Sequence, residues 1–203
     1  MKDRIIFWIN SRCNLKCPQC IYGIHQHVDY WNADWEYVNH AARFLHGITS
    51  IVISGGEPTI HPLFDEFAGA FRSLFGCKEL RVETNAVTAS KHGKAFQHFD
   101  YIQASRYDPK DNGEGIAWLE RNFLEKLIVS PIPITHRDRS LRPGTKPCGR
   151  GTGGTGAYSQ GKLYPCCVGM GIEGASGIPL TEDWKKQLSI TPIPCHNCCF
   201  AEP

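Results

Sequence analysis

Cys13, Cys17 and Cys20 stand in the run CNLKCPQC, directly after an apolar stretch. The spacing is C-x3-C-x2-C. Three thiolates on one short loop can converge on three irons of a four-iron cluster, which leaves the fourth iron without a protein ligand. An open coordination position of this kind is what a metal centre needs to activate a substrate. Tetrahedral zinc is the alternative occupant, and it wants a fourth ligand, which His25 or His27 can supply. The three-then-two spacing is uncommon for zinc, so both histidines read as loop residues. Six more cysteines, Cys148, Cys166, Cys167, Cys195, Cys198 and Cys199, gather towards the other end of the sequence. Cys77 stands apart from both sets and reads as a small, buried or half-buried residue.

The rest of the composition supports metal binding over disulfides. The chain has 203 residues, 41% hydrophobic and 21% charged, ordinary values for one cored domain with a small appendage. A formal net charge of +2 is too small to indicate nucleic acid or an anionic membrane as partner. Ile5 to Ile9 is the one apolar run near the start, too short for a signal-peptide core or a bilayer span. The protein is therefore expected in the cytoplasm, where paired cysteines hold metal more often than they form disulfides.

The elements that must carry these cysteines alternate between two periods. Short runs rich in Ile, Val and Tyr predict strands at Arg4 to Ile9, Ser50 to Ile53, Glu79 to Glu83, Tyr101 to Ala104 and Lys126 to Val129. Helical spacing predicts helices at Ala33 to His46, Leu63 to Phe75, Ser90 to Phe99 and Gly115 to Phe123. Asp34 and Pro62 are the start signals of the first two. Repeated strand–helix units imply an α/β fold with a parallel sheet and right-handed crossovers. About five units are visible against the eight of a closed barrel, so a partial, open TIM-like βα barrel is expected.

After Val129 the texture turns to Pro, Gly and Arg. A boundary falls near residues 140 to 147, which divides the chain into residues 1–140 and 141–203. Ala157 to Ser159 and Lys162 to Tyr164 flank Gln160-Gly161 as a hairpin. A short helix follows around Thr181 to Leu188, so the appendage is a small cysteine-rich hairpin-plus-helix module. Segments of this kind need a metal to fold. Gly151 to Gly156 spells G-x-G-x-x-G, yet it neither follows a strand nor opens a helix and reads as a loop.

CNLKCPQC after a first strand resembles the signature of the radical S-adenosylmethionine (SAM) superfamily. Gln19 stands where that family prefers an aromatic residue against the adenine of SAM. One βα unit later IVISGGEP contains a second signature. There Gly55, Gly56, Glu57 and Pro58 correspond to the stretch that binds the methionine ammonium group. Asn85, in Glu83-Thr84-Asn85, is similar to a Thr-Asn-Gly element with Ala86 in the glycine position. Ser105 and Arg106 end the fourth strand where relatives place polar groups on the SAM carboxylate or ribose. The resemblance implies a 4Fe–4S cluster on Cys13, Cys17 and Cys20, with SAM chelating its open iron.

The second cysteine set resembles the auxiliary module called SPASM or, in a shorter form, twitch. Gly161 to Cys166 matches its hairpin. By that resemblance Cys148, Cys166, Cys195 and Cys198 hold a second, auxiliary 4Fe–4S cluster. Cys167 and Cys199 are neighbours that can replace Cys166 and Cys198, and His196 reads as a turn residue. A zinc knuckle is the rival for this region.

The resemblance implies an enzyme that takes one electron from flavodoxin or ferredoxin, cleaves SAM to a 5′-deoxyadenosyl radical and abstracts a hydrogen atom. Where the auxiliary cluster accepts an electron, the net reaction is an oxidation. The alternatives are a redox-neutral isomerase or epimerase acting on a nucleotide, sugar or peptide, and a non-catalytic iron–sulfur or zinc protein. The substrate is a small molecule, a nucleotide or a peptide; the absence of an N-terminal peptide-binding domain argues mildly against leader-guided peptides. No membrane partner is expected, and a homodimer can close the open barrel.

Overall fold

A computed structural model describes residues 4–17, 20, 30–106, 109–131, 155–166 and 176–191. Five parallel strands follow the sequence expectation: β1 (Arg4–Trp8), β2 (Ser50–Ser54), β3 (Glu79–Thr84), β4 (Tyr101–Arg106) and β5 (Leu127–Pro131). Between and after them lie α1 (Trp35–Leu45), α2 (Phe64–Phe75), α3 (Gly93–Phe96), α4 (Pro109–Phe123) and α5 (Trp184–Ile190). Three short strands complete the sheet: β6 (Thr155–Ser159), β7 (Lys162–Tyr164) and β8 (Ile178–Pro179). The order is β5-β4-β3-β2-β1-β6-β7-β8, with β5 and β8 at the two edges. The sheet is mostly parallel and unclosed, as a partial TIM-like barrel requires.

The helix faces supply the reason it holds. Phe64, Phe67, Phe71 and Phe75 recur along α2 and are fully buried. Phe71 and Phe75 pack with Phe7 of β1, at ring-centroid distances of 5.1 Å and 5.3 Å. Each such ring contributes about 2–3 kcal/mol of burial. Asp34 caps α1 by accepting the Tyr37 N–H at 2.8 Å, and Gly76 ends α2 in the left-handed conformation.

The hairpin is more than an appendage to this sheet. Gln160 and Gly161 both have positive φ, 48° and 76°, the conformation of a tight two-residue hairpin turn. Its first strand, β6, pairs in parallel with the side of β1 opposite β2, with Ile6 facing Ala157. Thus β6 extends the barrel sheet before the chain reverses into β7. Further along, Trp184 of α5 is buried and donates its indole N–H to Phe44 O of the α1 helix at 3.0 Å.

Three expected spans change. α4 begins at Pro109, six residues before Gly115, so the glycines of Asn112-Gly113-Glu114-Gly115 lie inside the helix. Ser90 to Phe99 resolves into a 3-10 turn at Ala89–His92 followed by the four-residue α3. α5 runs Trp184–Ile190, three residues later than its expected start. The expected boundary at residues 140 to 147 lies outside the described residues. Among the described residues, no helix is long and apolar enough to cross a membrane.

Candidate functional site

The carboxyl ends of β1, β2, β3 and β4 bring together most of the residues singled out in the sequence, and the connections begin at β1. Asn10, fully buried, carries the chain out of β1 towards Cys13. Its carbonyl accepts the Gly56 N–H at 3.0 Å, and its side-chain amide donates to Glu57 O at 2.9 Å. Glu57 N–H in turn donates to Arg12 O at 2.7 Å. The cysteine loop and the Gly-Gly-Glu-Pro turn are therefore laced backbone to backbone. This contact explains both glycines: a Cβ on Gly55 would lie 2.5 Å from Asn10 O, and one on Gly56 only 1.8 Å from Arg12 O. Gly55 also has φ 146°, which side chains disfavour. Pro58 opens a buried 3-10 turn just beyond.

Glu57 is the one buried carboxylate among the described residues, at 1% exposure. Its Oε1 accepts the Thr59 N–H at 3.1 Å, the Thr59 hydroxyl at 2.6 Å and the Thr84 hydroxyl at 2.7 Å. Its Oε2 accepts the Asn85 N–H at 2.6 Å. Burial outweighs these donors and leaves the Glu57 pKa raised. The carboxylate thus bolts the end of β2 to the end of β3.

Asn85 is turned by that bolt towards the cysteine loop. Its amide nitrogen lies 2.7 Å from Asn14 Oδ1 and 3.7 Å from Cys13 Sγ. Ala86, next in the chain, holds φ 64°, a left-handed conformation that glycine adopts more readily than alanine. Ser105 contributes its carbonyl to the same region, through Asn112 of α4. Arg106 does not join: its guanidinium pairs with Glu120 on α4 at 2.7 Å. Alternation along β4 sends Arg106 to the helix side, where Ile102 and Ala104 are buried, and Ser105 to the other.

The three thiols of the first loop are half-buried. Burial first, and then the like charges of Glu57, Cys17 and Cys20, push the Cys13 thiol up to about 11, against the lowering effect of the Leu15 N–H. That N–H lies 3.4 Å from the sulfur. Thiolates are soft donors of the kind an iron cluster would take, and its positive charge would offset theirs. Among the described residues no three His, Cys, Asp or Glu side chains, Cys13, Cys17 and Cys20 included, are grouped closely enough to hold a metal ion. Cys166, at 2% exposure, is buried just past β7, and Cys77 is also buried. Gln19, His25, His27, Cys148, Cys167, Cys195, His196, Cys198, Cys199 and the glycines at 151–154 lie outside the described residues.

Asn10, Asn14, Thr59, Thr84 and Asn112 were not among the candidates drawn from the sequence. Thr84 sits in the Glu-Thr-Asn run and Asn10 at a strand end, so position marked both. Asn112 carried no such signal.

Comparison with known proteins accords with this geometry. Residues 9–104 match the model of the Radical SAM superfamily. The mitochondrial GTP 3′,8-cyclase of Arabidopsis thaliana is 31% identical over 87 residues, covering 41% of this chain and 22% of that protein. The PqqA peptide cyclase of Methylobacterium sp. (strain 4-46) is 26% identical over 144 residues, covering 63% of this chain and 36% of that protein. The matches thus span little more than a third of these relatives' lengths at most. The crystal structure of BtrN in complex with AdoMet and 2-DOIA superposes with a TM-score of 0.71 at 13% identity. That alignment covers 98% of this chain and 84% of BtrN, and it is a likeness of fold. Over residues 9–104, a little under half of the chain, the cysteine loop and its strand ends are therefore similar to the Radical SAM superfamily.

Proposed function

We propose that this chain is a radical SAM enzyme whose first cysteine loop holds a 4Fe–4S cluster with one iron open to SAM, and whose reaction oxidises or otherwise modifies a small molecule or peptide. The observation that carries the reading is the convergence of Cys13, Asn85 and the Gly-Gly-Glu-Pro turn at one set of strand ends, tied by the 2.7 Å contact between Asn85 and Asn14. With cluster and SAM bound, one electron from flavodoxin or ferredoxin breaks the C5′–S bond, giving methionine and a 5′-deoxyadenosyl radical that takes a hydrogen atom from the substrate.

The chain's own part is to bind and to orient. Cys13, Cys17 and Cys20 are the iron ligands. Gly55, Gly56, Glu57 and Pro58 form the turn beside them that meets the methionine end of SAM. Asn85, Ser105 and Gln19 complete the SAM contacts, while Arg106, committed to Glu120, is left out. The buried Glu57 is matched by neutral donors alone, a setting that favours a cationic cosubstrate nearby.

A second, auxiliary 4Fe–4S cluster on Cys148, Cys166, Cys195 and Cys198 belongs to this proposal, with residues 141–203 as a twitch-like module. Its support is the position of Cys166, buried at the end of a hairpin that hydrogen-bonds to β1, the strand that leads into the first cluster loop. Such a cluster can take an electron from the substrate radical, which is why an oxidation is the favoured reaction.

The test is anaerobic reconstitution followed by reduction in the presence of SAM. Wild-type protein is expected to bind about eight irons on the two-cluster reading. A variant with Cys13→Ala, Cys17→Ala and Cys20→Ala should retain about half of them and form no 5′-deoxyadenosine. Continued SAM cleavage by that variant would overturn the assignment.

A further inference from the structure

Asn112 lies in the first turn of α4, at 3% exposure. Its side-chain nitrogen is 2.7 Å from Asn85 O and 2.7 Å from Ser105 O. An amide NH2 has two hydrogens, and here each meets one carbonyl. The β3–β4 ladder runs as far as Thr84 opposite Ala104. Asn85 and Ser105 are the next residues on either strand, so Asn112 supplies the rung that the backbone no longer makes.

The helix that delivers this amide is seated with little clearance. A Cβ on Gly115 would lie 1.8 Å from Ala86 O, so α4 rests directly on the backbone after Asn85. From the other side Glu57 accepts the Asn85 N–H, and Thr84 Oγ1 accepts the Ala86 N–H at 2.9 Å. The peptide of Asn85 is therefore held at its N–H by β2 and at its carbonyl by α4. What that grip fixes is the direction of the Asn85 side chain, whose amide reaches Asn14 and the Cys13 sulfur.

We infer that Asn112 is a positioning residue for the SAM site, which holds Asn85 and Ser105 at a fixed separation and keeps the Asn85 amide on the cysteine loop. The inference rests on the radical SAM reading above and deepens it. Asn112 touches neither iron nor SAM in this scheme; it acts through the two carbonyls it bridges.

The experiment compares wild-type protein with Asn112→Asp and Asn112→Ala in two measurements. Asn112→Asp keeps the shape but sets carboxylate oxygens against two carbonyls, and Asn112→Ala removes both donors. The first measurement follows the EPR spectrum of the reduced cluster during a SAM titration. Both variants should load iron as wild type does yet require about tenfold more SAM for the spectral change. The second uses metal-free protein and follows hydrogen–deuterium exchange of peptides covering residues 84–88 and 104–106. Exchange there should quicken in both variants, while the α2 region is unchanged. Equal SAM titrations for wild type and both variants would overturn the positioning role, as would faster exchange spread evenly over the chain. Should wild-type protein itself give no spectral response to SAM, the radical SAM reading has failed, an outcome distinct from equal responses by all three proteins.

Discussion

The two ends of the barrel sheet handle polar groups in opposite ways. At the amino ends of the strands, charge meets charge. Glu79 accepts from Arg81 Nε at 2.6 Å and Nη2 at 2.8 Å, with Arg4 at 3.7 Å and the Ser50 hydroxyl at 2.7 Å. Arg81 also lies 4.4 Å from the Tyr101 ring centroid, and Arg72 pairs with Asp100 at 2.7 Å. Arg81 is the main reason the Glu79 carboxyl is held down at about 2. At the carboxyl ends, apart from the exposed Arg106–Glu120 pair, Glu57 is met by two hydroxyls and two backbone N–H groups, and three asparagines spend their amides on loop backbone or on one another. At one end, charged groups find charged partners within the chain. The other is organised to hold loops in place around whatever binds there.

That contrast can be broken most severely at Gly56. Gly56→Ala places a methyl 1.8 Å from Arg12 O, backbone against backbone, so neither the cysteine loop nor the turn can keep its place. A loss of about 3 kcal/mol or more in urea unfolding is expected, together with failure to retain iron. An alanine that left stability within about 0.5 kcal/mol of wild type would mean the two loops are not in contact.

The two glutamates give the next test, and they differ in sign. Glu57→Gln presents an NH2 to the Asn85 N–H in place of an acceptor and should cost about 2 kcal/mol. Glu79→Gln, in a partly exposed ion pair, should cost no more than about 1 kcal/mol. Their pH dependences run in opposite directions. The Glu79 pKa lies below its unfolded value of 4.5, so its stabilisation is complete above pH 4.5 and is lost as pH falls towards about 2. The Glu57 pKa is raised, so its contribution is greatest below 4.5 and declines as pH rises through its folded value. Stability curves from pH 2 to 8 should lose their acid-side slope in Glu79→Gln and part of their rise-dependent decline in Glu57→Gln. The same slope in both variants would erase the contrast.

Much of this fold could be read from the sequence because its signals are local. The cysteine spacing, the Gly-Gly-Glu-Pro turn, the run of phenylalanines on α2 and the Gln160-Gly161 turn each state their structure within a few residues. What could not be read depends on partners distant in sequence. The sequence reading starts this helix at Gly115, whereas α4 begins at Pro109 and its glycine at 115 meets the Ala86 carbonyl, 1.8 Å from where a Cβ would stand. The parallel pairing of β6 with β1 joins residues about 150 apart, and no local pattern names β1 as the acceptor. Glu57 looks like a ligand-facing carboxylate in the sequence, whereas its depth and four donors are supplied by Thr59, Thr84 and Asn85. Asn112 had no signal because its two acceptors are carbonyls, which sequence does not mark.

The smallest expected effect lies at Ala86, where two terms nearly cancel. Its φ of 64° is a conformation that costs a side-chain-bearing residue about 1–2 kcal/mol and glycine almost nothing. Ala86→Gly relieves that strain. Against it, the methyl is fully buried, and removing it forfeits about 0.8 kcal/mol of burial, while glycine adds unfolded-state entropy of similar size. Stability should therefore stay within about 1 kcal/mol of wild type in urea unfolding. The 84–86 arch is held by Glu57, Thr84 and Asn112 through backbone groups and the Thr84 hydroxyl, none of which the substitution removes. The SAM titration of the reduced cluster should accordingly be unchanged. A large shift in that titration would show that the methyl itself, wedged between α4 and β3, sets the direction of Asn85, and the grip would then belong to packing rather than to the hydrogen bonds that converge on its peptide.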